Sequence, residues 1–308
     1  MNTLGAAVRV DGLTRSFGAT RAVAGVSFDV APGEIFGLVG PDGSGKTTTM
    51  RMLAGVLRPD SGHVEVDGID VLAEPEATKL RLSYMPQRFG LYDDLTVYEN
   101  LHFYADLFGI TAADRRRRGA ELIDAAGLGG FGRRLAGQLS GGMKQKLGLV
   151  CALIHTPRVL LLDEPTTGVD PVSRRDFWAI LYRLRETGVA IVMATAYMDE
   201  AERCSRLALF HAGKLRYCDT PSGLKARMPG AMLAVAATHP RDLRQRVAAM
   251  PGVLGTLLMG DRVHVRVDDP ERRVAELRCA LAAEPGLSIE PADPGIEDVF
   301  VALLENAT

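Results

Sequence analysis

The residues Gly40-Pro41-Asp42-Gly43-Ser44-Gly45-Lys46-Thr47-Thr48 satisfy G-x-x-x-x-G-K-[ST]. Glycines at this spacing let backbone N–H groups turn inward on an anion, and a helix starting at the end of the loop adds partial positive charge. Lys46 is spaced to reach the outer phosphates of a nucleotide, and the Thr47 hydroxyl to ligate Mg²⁺. A chain of this length meets the pattern by chance roughly 1% of the time. The flanks sharpen the reading, because the apolar run Glu34–Val39 has strand length and Thr49–Leu57 reads as a helix. Phosphate binding is therefore expected here, and the use made of the phosphate must be read elsewhere.

Acids stand at a second place. Val159-Leu160-Leu161-Leu162 is a wholly apolar strand that ends in Asp163-Glu164. An aspartate at such a strand end can hold Mg²⁺ opposite Thr47, directly or through water, and the neighbouring glutamate can activate an attacking water. The plainer alternative is an acidic strand end in solvent. Gln87, which follows the strand Leu82–Met85 and Pro86, can complete the Mg²⁺ shell and sense the γ-phosphate, or it is an ordinary loop amide. Leu139-Ser140-Gly141-Gly142-Met143-Lys144-Gln145 offers another anion cradle: a hydroxyl, free N–H groups and a helix start. Two phosphate receptors in one chain suggest that each serves a different nucleotide and that two chains pack head to tail around two of them. A glycine N-cap alone is the duller option.

Composition narrows the class. The 308 residues suit two domains, with 47% hydrophobic and 24% charged residues. A net charge of −2 makes no global case for nucleic acid or an anionic membrane. Cys151, Cys204, Cys218 and Cys279 lack C-x-x-C spacing and read as reduced thiols. Met1-Asn2-Thr3-Leu4-Gly5 has no basic region followed by an apolar core, so no secretion signal is expected. No run approaches the ~20 apolar residues of a membrane span.

The elements around these residues follow in order. Residues 8–30 alternate as antiparallel strands, with a turn expected at Arg15-Ser16-Phe17-Gly18. A helical pattern is expected from Phe89 to about Leu135, and a further helix from Ser140 to Ile154. The run Arg115-Arg116-Arg117-Arg118 in this stretch reads as a solvated helix face. Strands end at Asp163 and Ala194, with helices over Arg174–Arg185 and Met198–Cys204 and a hairpin over 207–217. From about Pro221 the order is a strand 231–238, a helix near 240–250, strands near 253–259 and 262–268, a helix 270–283, a strand 287–290 and a helix 295–305. That βαββαβ series is the ferredoxin-like pattern.

The ordered set of phosphate loop, Gln87, Leu139–Gln145, Val159–Pro165 and Gly168-Val169-Asp170 resembles the ATP-binding subunit of an ABC transporter over roughly residues 5–220. More narrowly, it is similar to the first ATPase half of bacterial tandem-ATPase drug, antibiotic and lipid exporters. The tail Gly295-Ile296-Glu297-Asp298-Val299-Phe300-Val301 is similar to the ends of ATPases in that branch. The resemblance implies an α/β fold: a P-loop NTPase core with an antiparallel β subdomain and a helical insert at about 89–155, in an ATP-binding domain over 1–220. A small C-terminal α+β ferredoxin-like module, regulatory or dimerising, would occupy 221–308. It implies ATP and Mg²⁺, with Glu164, Gln87 and Lys46 catalytic and Thr47, Gln87 and Asp163 around the metal. Nucleotide contacts would come from Phe17, Gly40–Thr48, Ser140, Gly141, Gly142 and Gln145, with Phe17 stacking on adenine or serving as a core aromatic. Asp170 would lie in a loop coupling the two subunits' sites. The segment Phe89–Thr96 would receive a membrane-spanning permease subunit. The other partner would be a second ATP-binding subunit, identical or not, with no nucleic acid. The place implied is cytoplasmic, at the inner face of the cell membrane.

The sequence departs from that family at two positions. Ala194-Thr195-Ala196-Tyr197-Met198-Asp199-Glu200-Ala201 stands where relatives have a segment like S-T-H-x-M-x-E-A, so Ala196 replaces a histidine that contacts the γ-phosphate. Such a preorganised contact is worth about 10²–10³ in rate. Asp42, where many relatives carry asparagine, brings a carboxylate near the phosphates. The departure leaves two readings, a slow but competent ATPase relying on Glu164 and a degenerate half that binds ATP without hydrolysing it. A non-transport ABC ATPase acting on ribosomes or nucleic acid is a rival, disfavoured by the net charge of −2.

Overall fold

The computed structural model describes residues 5–305, so Met1–Leu4, on which the absence of a leader was read, lie outside the described residues. The chain divides into two compact units, Met1–Cys218 and Asp219–Thr308. The first runs β1 (Val8–Phe17), β2 (Thr20–Val30), β3 (Ile35–Val39), α1 (Lys46–Leu53), β4 (Ser61–Val66), β5 (Ile69–Asp70), α2 (Pro75–Lys79), β6 (Leu82–Met85), α3 (Val97–Leu107), α4 (Ala112–Ala125), α5 (Gly141–Leu153), β7 (Val159–Asp163), α6 (Pro171–Glu186), β8 (Ala190–Thr195), α7 (Met198–Ala201), β9 (Arg206–His211) and β10 (Lys214–Asp219).

Six strands form the central sheet in the order β10-β9-β3-β8-β7-β6. The pairs from β9 to β6 are all parallel. Every residue of β3, β7 and β8 is buried. That explains their unbroken apolar runs, since a parallel strand is covered on both faces. Register places Val39 beside Thr195 and Asp163 beside Ala194. The loop after β3, the acids after β7 and the Ala196 segment after β8 therefore leave the same edge of the sheet, where α/β folds bind ligands.

A second sheet, β2-β1-β4-β5, is antiparallel. The expected turn at Arg15–Gly18 is instead the end of β1, with Phe17 opposite Thr20 and the reversal at Gly18, whose φ is 56°. Asp60 braces β1 where its register against β2 shifts between Arg15 and Ser16, accepting from Arg15 Nη1 at 2.9 Å and from Ser16 N at 2.6 Å. The helical insert also starts later than expected. Residues 89–96 are loop, and α3 begins where Thr96 and Glu99 form a reciprocal capping box. Buried Asn100 fixes that loop, donating to Tyr92 O, Leu95 O and Thr96 O and accepting from Tyr92 N. The insert has its own core, in which Leu101, Ile123, Leu147 and Val150 meet. Its arginine run is exposed in part and paired with acids: Arg115 with Asp106, and Arg117 with Asp114.

The second unit runs α8 (Pro221–Ala226), β11 (Ala231–Ala236), α9 (Pro240–Ala248), β12 (Val253–Met259), β13 (Arg262–Val267), α10 (Pro270–Ala280), β14 (Ser288–Pro291) and α11 (Ile296–Glu305). Its strands lie in the order β12-β13-β11-β14, all antiparallel, which is the ferredoxin-like arrangement. Leu243 and Val247 of α9 and Leu277 of α10 pack with Leu233, Val263 and Val265 of the sheet. Among the described residues no helix is long and apolar enough to cross a membrane.

Candidate functional site

The loop between β3 and α1 is shaped by close approaches. A side chain at Gly40 would collide with the carbonyl oxygen of Phe210, and one at Gly45 with that of Ala22. Gly45 also has φ 106° and ends the loop as the residue before α1. Lys46, almost wholly buried at the helix start, donates from Nζ to Gly40 O at 2.7 Å and Pro41 O at 3.0 Å. Burial lowers the pKa of its ammonium, while Glu164, Asp42 and Asp163 push the other way. Ser44 Oγ is buried and has no hydrogen-bond partner among the described residues, an arrangement that costs about 1–3 kcal/mol if nothing satisfies it. A free buried hydroxyl, a lysine ammonium and the N–H groups of a helix start fit a phosphate. Pro41, Asp42 and Gly43 are exposed at the loop tip, and Thr48 is half-buried.

Across the sheet edge, Asp163 is 1% exposed. Its Oδ1 accepts from Thr47 Oγ1 at 3.1 Å and its Oδ2 from Tyr84 OH at 3.3 Å. Burial pushes the Asp163 carboxyl above its ordinary range, against these two bonds and the nearby Arg51 and Lys46 cations. A hydroxyl and a carboxylate side by side are the oxygen donors a hard divalent cation takes, so this pair fits Mg²⁺. Glu164 has φ 49°, unusual without glycine, and its N–H donates to Ala194 O at 2.9 Å. That left-handed step turns its side chain off the strand axis to where Gln87 Nε2 donates to Oε2 at 2.9 Å and Thr167 Oγ1 at 3.4 Å. The structure thus brings Lys46, Thr47, Asp163, Glu164 and Gln87 together.

It leaves others apart. Ser140 caps α5, accepting from Met143 N at 3.3 Å, and Gly141, Gly142 and Gln145 follow in the first turn and a half. Their neighbour is α6: a side chain at Gly142 would run into Ser173 and approach Asp170 Oδ2 at 3.3 Å. Asp170 caps α6 through Ser173 N and Val172 N, bonds that lower its pKa. Phe17 is 49% exposed, with the Arg15 guanidinium 5.0 Å from its ring centre. Ala196 is exposed just beyond β8.

Two participants carry no sequence mark. Tyr84 reads as one residue in an ordinary strand, yet its hydroxyl bonds the buried carboxyl, and burial first and then Asp163 push its pKa up to about 12. Arg51, one turn into α1, acts on both Tyr84 and Asp163. Only the pairing of β6 with β7 places Tyr84 there.

This sheet edge defines a P-loop nucleotide-binding cassette. Residues 23–167 match the family described as ABC transporter. The chain is 44% identical over 306 residues to the probable multidrug ABC transporter ATP-binding protein YbhF of Escherichia coli, covering 98% of this chain and 53% of that protein. It is 35% identical to the daunorubicin/doxorubicin resistance ATP-binding protein DrrA of Streptomyces peucetius, over 96% of this chain and 92% of that one. Among solved structures, the dimeric post-hydrolysis state of the ATP-binding cassette MJ0796 bound to ADP and Pi superposes with a TM-score of 0.63 at 26% identity, over 69% of this chain and 98% of that one. The chain belongs to the ATP-binding proteins of the ABC transporter family. It spans about half the length of YbhF.

Proposed function

We propose that this chain binds ATP with Mg²⁺ and hydrolyses it as half of a head-to-tail dimer, driving export by a separate membrane-spanning subunit. The observation that carries the reading is the bond between Thr47 and Asp163, which closes the phosphate loop against the acidic strand end. In this reading the loop N–H groups, Ser44 and Lys46 hold the β- and γ-phosphates, and Thr47, Asp163 and Gln87 hold the cation. Mg²⁺, when bound, supplies positive charge to the phosphate oxygens. Glu164, steadied by Gln87, takes a proton from the water that attacks the γ-phosphorus, and ADP leaves. Ser140, Gly141, Gly142 and Gln145 serve the nucleotide of the partner copy, in keeping with the packing of Gly142 against Ser173 and Asp170. Phe17 offers a half-exposed ring to the adenine.

Export is supported by the names of relatives: a probable multidrug ABC transporter, daunorubicin/doxorubicin resistance and, for another, Nod factor export. The permease docks on the helical insert. An apolar cleft of about 550 Å³, lined by Val56 and Leu80 on one side and by Phe89, Tyr104 and Leu107 of the insert on the other, opens at its edge, and Val56, Leu80 and Leu107 are largely exposed. Such a partner places the chain at the cytoplasmic face of the membrane. The second unit serves regulation or dimer contact.

One observation favours a second reading, in which ATP gates the assembly without turnover by this chain: Ala196 has no group to offer the γ-phosphate. Steady-state ATPase of the purified chain separates the two. Isolation together with a membrane protein supports the transport role, and isolation with ribosomes or DNA contradicts it.

A further inference from the structure

Glu200 lies in α7, in the acidic segment Met198-Asp199-Glu200-Ala201-Glu202, yet it is 0% exposed. Three donors converge on its carboxylate. Thr166 Oγ1 and Trp178 Nε1, the latter at 3.3 Å, donate to Oε1, and Thr195 Oγ1 donates to Oε2 at 2.8 Å. Each donor belongs to a different part of the site. Thr166 sits two residues after Glu164 and is fully buried, and its neighbour Thr167 bonds the Glu164 carboxylate. Thr195 ends β8, and its hydroxyl also accepts from Tyr197 N at 3.0 Å, so it fixes the chain on both sides of Ala196. Trp178 is in α6, the helix capped by Asp170. An apolar side chain would fill this space without the desolvation cost of a buried carboxylate, but it would leave three buried donors unpaired.

We infer that Glu200 is a positioning residue that holds the turn after Glu164, the Ala196 segment and α6 as one unit. It adds a side-chain tie between the turn after Glu164 and the end of β8, beside the Glu164 N–H bond to Ala194 O, where the alanine at position 196 has no side-chain bond to offer. The role rests on the proposed function, because what it positions is Glu164. Through these bonds, a displacement of Glu164 on nucleotide binding is felt at Trp178, the one tryptophan in the chain.

Thr166→Val and Thr195→Val each remove one donor at nearly constant volume, and both are made in the full chain. With ATP and Mg²⁺ as the probe, kcat is expected to fall about 10-fold or more with KM for ATP within about twofold, and the double variant to lose little more than either single one. Trp178 emission is expected to shift on ATP addition in the unmodified chain and not in Thr166→Val, a readout that does not need turnover. Thr166→Ser, which restores the donor, should recover both. Unchanged kcat and an intact emission shift in both valine variants would overturn the inference. So would parallel loss of kcat and ATP affinity in step with the folded fraction by circular dichroism. If the unmodified chain shifts its emission but hydrolyses nothing, the proposed function fails, and the emission of Thr166→Val alone decides whether Glu200 makes this tie.

Discussion

Thr47 Oγ1 and Asp163 Oδ1 lie 3.1 Å apart across 116 residues of chain. This bond joins the first turn of α1 to the end of β7 and sets two oxygens where a cation can take both. Asp163→Asn keeps the shape and removes the charge. It should weaken Mg²⁺-dependent ATP binding about 10- to 100-fold while leaving binding in the presence of chelator unchanged. The melting temperature should hold or rise, since a buried carboxylate gives way to a neutral amide. Nucleotide titrations with and without Mg²⁺, beside a thermal melt, check all three outcomes.

Ser44 makes a prediction of opposite signs for stability and binding. Its buried hydroxyl has no partner among the described residues, so Ser44→Ala should leave the nucleotide-free protein as stable or up to about 1 kcal/mol more stable. The same change should weaken ATP binding by about 5- to 10-fold, the worth of one hydrogen bond to a charged group in part. Denaturant unfolding and ATP titration measure the two.

Ala196 is exposed beyond β8, so a larger side chain has room there. Ala196→His should raise kcat about 10-fold or more, with ATP affinity within about twofold, because the added group contacts charge that develops at the γ-phosphate. Single-turnover ATP hydrolysis is the measurement.

His155 sets a pH dependence in the helical insert. It is buried, stacks on Phe108 at 3.8 Å, and pairs through Nε2 with Leu82 O at 3.2 Å. Burial lowers its pKa below the ordinary histidine value. The unfolded chain therefore takes up a proton first as pH falls, and stability is lost below about pH 6.5. His155→Phe keeps the stack and removes the proton site. Its melting temperature should fall roughly 2–4 °C less than that of the unmodified chain between neutral and mildly acidic pH, a difference of about 1 kcal/mol.

The sequence spoke clearly where one physical need fixes the residue type. Gly40 and Gly45 touch backbone, Lys46 and Thr47 sit at the helix start, and the apolar run before Asp163 can only be a doubly covered strand. The ferredoxin-like order is legible too, because its short apolar strands are interrupted by helices α9 and α10 that each begin with proline. Contacts made by folding alone stayed hidden. Phe17 reads as a turn because its pairing with Thr20, and the bonds of Arg15 and Ser16 to the distant Asp60, form only on folding. Tyr84 and Glu200 carry no mark in the sequence, because a side chain's burial depends on which strands become neighbours. For Glu200 the apolar Ala201 and Cys204 on the same short stretch were the one available hint.

Glu164 bears the central claim, and Glu164→Gln tests it most directly. The amide keeps the bulk and the neighbourhood of Gln87 and Thr167 but cannot take a proton from water. The account predicts that turnover falls to background while ATP still binds, and that ATP with Mg²⁺ converts the variant into a stable dimer by size-exclusion chromatography with light scattering. A variant that hydrolyses ATP at the unmodified rate would contradict it.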